Sequence, residues 1–198
     1  MSLSRTHILI AAVATVVVAA GCSDDSTATH TAEHSPTTTT SAVAGPEFND
    51  ADVTFLQMMY PHHAQAVEMA KMVPSHTQNQ QLIDLAAQIE QAQAPEMREI
   101  TDLLTSFGKP APSAADHDGH EMPGMMTTQQ MTDLDAAQGD DFDRQWLQMM
   151  IDHHQGAVAM AQTELANGVN PASRQLASTI VADQEAEIAT MRGILDQN

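Results

Sequence analysis

Two short stretches of this chain combine methionine and histidine at helical spacing. In the first, Met58 and Met59 stand four residues before His62 and His63. Thioether sulfur is a soft ligand and imidazole a borderline one, so the mixture suits copper, and Cu(I) in particular, better than zinc, calcium or magnesium. The candidate metal ligands from both stretches are Met58, His62, His63, Met69, Met149, His153, His154 and Met160.

The second stretch is a copy of the first. Residues 55–70 and 146–161 agree at 10 of 16 positions when aligned at an offset of 91, and similarity continues without a gap into the segment that follows each. The chain therefore contains a tandem duplication of one unit. The repeats cover about 49–108 and 139–198, joined by a His/Met-rich connection at 109–138.

Each repeat predicts a helical hairpin. Apolar residues recur at helical intervals from Asn49 onward, Pro74 is expected to end the first helix, and Gly108 and Gly168 are expected C-caps. The predicted helices cover residues 49–74, 79–108, 139–167 and 170–195, with a short additional helix at 128–137. Two hairpins of similar length most simply close into an all-α, four-helix antiparallel bundle.

Helical geometry places the candidate ligands on the face that must be buried. At 100° per residue, Met58, His62 and Met69 form one stripe along the first helix. Antiparallel packing then puts Gln93 at the level of His62 and Glu96 at that of Met58. These polar residues and their copies could hold a histidine ring or complete a coordination shell: Gln93, Glu96, Gln184 and Glu187.

Two alternatives to a copper site remain open. Methionine is common core filler, and a buried histidine can be satisfied by a hydrogen bond, so the bundle could be purely structural. A ferritin-like di-iron oxidoreductase would need Glu three residues before His on two helices. Met59 and Met150 occupy those positions, and the chain shows no nucleophile or phosphate-binding motif, so we expect a binding protein rather than an enzyme.

The pattern Met-Met-x-x-His-His-x-x-Ala-Val-x-Met-Ala, followed by a helix with Gln-x-x-Glu, resembles the domain of unknown function 305 family over about residues 49–197. The resemblance implies a ferritin-like fold and a relation to exported bacterial proteins associated with copper binding and tolerance. It also implies that the candidate ligands above stand at the family's matching positions. Pro61 departs from its counterpart Asp152, so the repeats should differ in helix geometry there.

The connection contains a second concentration of possible ligands. Its histidines and methionines are His117, His120, Met122, Met125 and Met126. A loop of this composition could capture copper weakly and transfer it, or it could be a polar connector. Similar Met-Pro-Gly-Met-Met loops are common in the same family.

The N-terminus predicts export and lipid anchoring. Residues 1–21 have the charge, the apolar run and the small residues of a signal peptide, and the run is too short to span a bilayer. Cys22, the only cysteine, follows Gly21 as in a bacterial lipobox, where it would carry lipid. Residues 22–48 predict a disordered Ser/Thr-rich tether. We expect the bundle, 49–198, to lie on the extracellular or periplasmic side of the cell membrane.

The charge of the chain limits its partners. A net charge of −19 excludes nucleic acid and would concentrate cations near the surface. The favoured hypothesis is a lipid-anchored copper-binding protein that buffers, sequesters or delivers copper, with a copper-handling protein as a possible partner. Iron and zinc are less favoured, and a metal-free structural bundle is the remaining alternative.

Overall fold

A computed structural model describes residues 46–113 and 122–197 of the chain. The signal peptide, Cys22, most of the tether, His117 and His120 lie outside the described residues. The described part is all-helical, as predicted, with the elements α1 Asp50–His76, α2 Gln80–Ser106, α3 Thr128–Ala136, α4 Gly139–Asn167 and α5 Pro171–Leu195. α1 packs on α2 and α4 on α5, while α1 and α4 join the two hairpins, so the four long helices form a bundle.

Three of the four long helices, α1, α2 and α5, begin at a side-chain cap. The Asn49 side chain accepts hydrogen bonds from the first turn of α1, and the Asp52 side chain accepts one from the backbone N–H of Asn49, which completes a capping box. Asn79 caps α2 in the same way, and Asn170 caps α5 with Pro171 at its first position. The predicted starts of these two helices, at residues 79 and 170, are therefore correct to one residue.

α2 ends in a glycine motif. Gly108 has φ +67°, the left-handed conformation that glycine adopts without steric cost. The N–H of Lys109 donates to the carbonyl of Leu104, and that of Gly108 donates to Thr105, the bond pattern of a Schellman motif. Phe107 is the C-cap and Gly108 follows it, so the predicted end of this helix is correct to one residue.

Two details of the predicted helix ends differ from the structure. α1 does not end at Pro74; it continues to His76, because the N–H of Thr77 still bonds to the carbonyl of the buried Val73. Gly168 is the C-cap of α4 as predicted, but its φ of −69° needs no glycine. A Cβ there would overlap the carboxyl group of Glu164, so a larger residue would have to displace this buried side chain.

Equivalent contacts brace the two repeats. Asp52, in the first turn of α1, accepts hydrogen bonds from the backbone N–H groups of Val169 and Asn170 in the α4–α5 turn. Asp143, its equivalent 91 residues later, accepts one from the side chain of Asn79 in the α1–α2 turn. Each repeat thus uses the same position to hold the turn of the other, as expected for a duplicated unit.

The core consists of two hydrophobic clusters. The first surrounds Trp146, whose indole N–H donates to the carbonyl of Met69 at 2.9 Å, and it also contains Met149 and Met150. The second contains Met59 and Met160, with the half-buried Met58 packed against it. No helix of the described part is long and apolar enough to cross a membrane.

Candidate metal centre

The two His-His pairs meet where α1 packs against α4. The rings of His62 and His153 lie with centroids 3.8 Å apart and planes at 42°. The His153 and His154 ring centroids are 6.3 Å apart, and all four histidines, including His63, are buried with 0% exposure. The structure therefore brings the imidazoles of both repeats into one place in the core.

The backbone of the connection fixes the orientation of His62. Its Nε2 lies 3.0 Å from the carbonyl oxygen of Pro123. A carbonyl oxygen can only accept, so Nε2 must carry the proton and Nδ1 keeps its lone pair. Nothing in the sequence identified Pro123, because the interacting group is a main-chain carbonyl.

A carboxylate orients two of the other three rings, those of His63 and His154. Nε2 of His63 lies 2.7 Å from Glu96 Oε2, and Nε2 of His154 lies 2.8 Å from Glu187 Oε2. Glu96, which we expected beside Met58, makes this contact with His63. A carboxylate that accepts from one ring nitrogen fixes the ring and strengthens the other nitrogen as a donor to metal.

Many polar atoms at this level of the core have no hydrogen-bond partner. Buried polar groups are normally paired, since an unpaired one costs about 1–3 kcal/mol. The unpartnered atoms of the four rings are Nδ1 of His62, His63 and His154 and both nitrogens of His153. The amide groups of Gln93 and Gln184, also buried, add two unpartnered atoms each. This concentration of free donor atoms fits a site that binds an additional group.

The two histidines in close contact, His62 and His153, are uncharged at neutral pH. Burial, followed by the charges of His63 and His154, lowers the pKa of His62 to about 3, although its bond to Pro123 opposes the shift. Burial and the neighbouring histidines lower the pKa of His153 well below its usual value of 6.5. Neutral imidazole is the form that binds metal, so these rings need lose no proton before coordination.

The candidate methionines divide into two groups that each combine both repeats. Met69 lies in the first core cluster with Met149, whereas Met160 lies in the second, against which Met58 packs. Met58 and Met160 also line a shared cavity of about 460 Å³. The stripe of Met58, His62 and Met69 expected on one helix is thus divided between the two clusters, because α4 covers its two ends with different residues.

The described part of the connection lies against the histidines. Met122 and Met126 are buried and Met125 is half-buried. The side chain of Gln65 makes two hydrogen bonds with Met126, donating to its carbonyl at 2.8 Å and accepting from its N–H at 2.7 Å. Sequence analysis missed Gln65, because a glutamine within an amphipathic helix has no property that distinguishes it from a solvent-facing one.

Within residues 46–113 and 122–197, no group of three or more His, Cys, Asp or Glu side chains is already arranged as a metal site. The donors that are present fit copper by type. Imidazole nitrogens with free lone pairs serve both Cu(I) and Cu(II), and buried thioethers lie in the two adjoining clusters. Glu96 and Glu187 are directed to histidine nitrogens, which orients the rings.

The chain is similar to solved structures of DUF305 proteins. The chain is 33% identical to a DUF305 fragment from Deinococcus radiodurans, over 77% of this chain and 100% of that one, with a TM-score of 0.71. A DUF305 protein from Streptomyces coelicolor is also 33% identical, over 74% of this chain and 93% of the other, with a TM-score of 0.68.

A third similar structure is CopM in the Cu(II)-bound form, at 34% identity over 74% of this chain and 96% of that one, with a TM-score of 0.65. CopM is also known in Cu(I)-bound and Ag-bound forms. No curated protein matches the chain. The model of the family described as "Domain of unknown function (DUF305)" matches residues 52–195, so the chain belongs to this family.

Proposed function

We propose that this protein binds copper in the core of its helical bundle and serves to buffer, sequester or deliver it. The observation that carries the proposal is the group of buried imidazole nitrogens without partners, at the level where both repeats meet. The binding of Cu(I), Cu(II) and silver by the similar protein CopM supports the same choice of metal.

The proposed ligands differ in what they contribute. The histidines His62, His63, His153 and His154 would supply nitrogen to either oxidation state of copper. The methionines Met58, Met69, Met149 and Met160 would supply sulfur and favour Cu(I) over zinc. Glu96 and Glu187 would orient His63 and His154, while Gln93 and Gln184 would offer polar atoms from the partner helices.

The di-iron alternative finds less support. Ferritin-like di-iron sites place carboxylates and histidines around the metal from four helices. Here Glu96 and Glu187 accept hydrogen bonds from His63 and His154, so these carboxylates are already engaged. Storage and transfer of copper do not require a change in its oxidation state, and we propose no redox reaction.

We further propose that Cys22 carries lipid and holds the bundle at the outer side of the cell membrane. The lone cysteine directly after Ala19, Ala20 and Gly21 motivates this. The change Cys22→Ser should release the protein from the membrane fraction or block its processing. Identical fractionation of wild type and variant would refute the anchoring and leave the copper proposal intact.

The metal proposal is tested by Cu(I) competition against a chromogenic chelator, with untagged protein. The test variant replaces Met58, Met69, Met149 and Met160 by Leu. The control variant replaces four methionines that are not among the proposed ligands by Leu, namely Met72, Met97, Met131 and Met191. Leucine conserves apolar volume at a usual cost below about 1.5 kcal/mol per site, and circular dichroism checks that both variants fold.

We expect the test variant to lose Cu(I) affinity and the control variant to keep it. A second variant, with His62→Gln and His153→Gln, should weaken Cu(II) as well, because both oxidation states share imidazole as a ligand. Equal Cu(I) affinity in wild type and test variant would show that the methionines only fill the core.

A further inference from the structure

Residues 122–126 form a segment that covers the adjoining rings of His62 and His153, which we call the histidine pair. We call residues 122–126 the capping segment. Its Pro123 carbonyl accepts from Nε2 of His62, and its Met126 backbone makes both of its hydrogen bonds with the Gln65 amide. Gly124 has φ +79°, and a Cβ there would clash with the backbone oxygens of Asp152 and His153. The segment is thus pressed against α4 at the His-His pair itself.

A second glycine makes the close approach possible from the other side. A Cβ on Gly156 would overlap the carbonyl group of Pro123 and approach the nitrogen of Gly124. Gly156 lies inside α4, where glycine is unfavourable by about 1 kcal/mol relative to alanine. The benefit of glycine here is space for the capping segment.

Gln65 and Gly156 are the same position of the two repeats, 91 residues apart. On α1 this position carries an amide that binds the backbone of the capping segment, and on α4 it carries no side chain, so that the segment can lie against the helix. The two copies of this position therefore differ in residue type, and both contact the capping segment. That segment belongs to the connection between the repeats, which occurs once in the chain.

We infer that Gln65, Gly124 and Gly156 are positioning residues: they hold the capping segment closed over the histidine pair, so that His62 offers only Nδ1. The histidine pair is then asymmetric, since Nε2 of His62 donates to a carbonyl, whereas neither ring nitrogen of His153 has a hydrogen-bond partner. A ligand reaches the pair when the segment lifts. The identity of that ligand as a soft cation rests on the proposed function, whereas the closure itself does not.

Cavities flank the capping segment on both sides. One, of about 510 Å³, is lined by Met58, Met122 and Pro61, and the other, of about 460 Å³, by Met58, Met160 and Pro123. The lining of each opening includes two methionines, of which Met58 is common to both, so the segment adjoins two openings that carry thioether groups. Lifting it would connect these openings to the histidines, a route whose side chains suit a soft monovalent cation.

The closure is tested first without metal, on protein treated with chelator. The test variants are Gly156→Ala, which adds a methyl group under the segment, and Gln65→Ala, which removes its two hydrogen bonds. The matched controls are Gly193→Ala, a helical glycine whose Cβ would meet nothing within 4 Å, and Gln162→Ala, an exposed glutamine of α4. Hydrogen exchange, imidazole nitrogen spectra and modification by diethylpyrocarbonate are the three measurements.

We expect the amide of Met126 to exchange about tenfold faster in both test variants, the change expected when one buried hydrogen bond is lost. Nitrogen spectra should show wild-type His62 protonated at Nε2 and a mixture of tautomers in Gly156→Ala. Diethylpyrocarbonate should modify His62 or His153 faster in the test variants only. Wild-type values for exchange, tautomer and modification in both test variants would overturn the inference.

The last measurement uses silver ion as a soft probe, with the fluorescence of the only tryptophan, Trp146, as the reporter. Trp146 shares a core cluster with Met69 and Met149, so silver bound nearby should quench it. We expect the association rate to rise about tenfold in the test variants. An unchanged rate despite faster modification would refute the route through the capping segment. Failure of silver to bind the wild type would instead refute the proposed function, with the closure already decided by the metal-free measurements.

Discussion

The stability of the metal-free protein should pass through a maximum near pH 6.5, and Glu164 should cause the fall above it. Its carboxyl group is buried, and burial, then the hydrogen bond and charge of Asp52, raise its pKa to about 8, while Arg174 opposes the shift. Burial would raise the pKa of Asp52 too, but hydrogen bonds from the backbone of Asn49 and Asn170 lower it. The pair therefore holds one proton at neutral pH.

The sign of the pH dependence follows from the protons bound in each state. Between pH 4.5 and 8 the folded protein keeps the Glu164 proton and the unfolded chain does not, so the free energy of unfolding falls by about 1.4 kcal/mol per pH unit. This contribution is complete below pH 4.5 and is lost as the pH rises through 8. His62 and His153 act in the opposite sense below pH 6.5, where only the unfolded chain protonates them.

Two histidines outweigh one glutamate in the acidic range. Below pH 6.5 the two histidines oppose Glu164, so the free energy of unfolding should rise with pH there, and from pH 6.5 to 8 Glu164 alone lowers it by about 1.4 kcal/mol per pH unit. The assay is urea unfolding followed by circular dichroism at pH 5.5, 6.5 and 7.5. The variant is Glu164→Gln, with the exposed Glu185→Gln as its control.

In Glu164→Gln the free energy of unfolding should no longer decrease between pH 6.5 and 7.5, whereas in Glu185→Gln it should decrease as in the wild type. Glutamine cannot ionise, so any remaining decrease of similar size in Glu164→Gln must come from another group. That result would refute the assignment of the shared proton to the carboxyl pair.

Three further predictions concern stability at pH 7, measured by urea unfolding of the metal-free protein. Gly168→Ala should cost about 1–3 kcal/mol, because its methyl group would displace Glu164; a neutral effect would contradict the packing. Asn170→Ala should cost about 1 kcal/mol through loss of the α5 cap, an effect that a wild-type midpoint would disprove. Gln93→Leu and Gln184→Leu should each stabilise by about 1–2 kcal/mol, because both amides are buried without partners; destabilisation would indicate unrecognised hydrogen bonds.

The helices and the buried faces could be predicted because local properties determine them. Asparagine caps, Pro171 and the Gly108 motif act within a few residues, and the 91-residue offset shows the second hairpin to be a copy of the first. The position of Pro74 was misleading, since burial of Val73 keeps the helix intact past it.

The contacts around the histidines could not be predicted to the same degree. Helical periodicity identifies the face on which His62 lies but not the residue that covers it. The covering group is the Pro123 carbonyl, and main-chain groups have no residue type that a sequence could reveal. The pair of Asp52 and Glu164 likewise depends on how α1 meets the end of α4, because the two residues lie far apart in the sequence.

The duplication has a consequence that a single hairpin could not have. One repeat supplies Met58 and Met69 on either side of His62 in the same helix, and each joins a core cluster with a methionine of the other repeat. The close contact of the His62 and His153 rings also requires both copies. A single repeat would therefore contain every type of proposed ligand, yet it would form neither the paired imidazoles nor the combined methionine groups. The proposed site thus results from the packing of α1 against α4 and not from either motif alone.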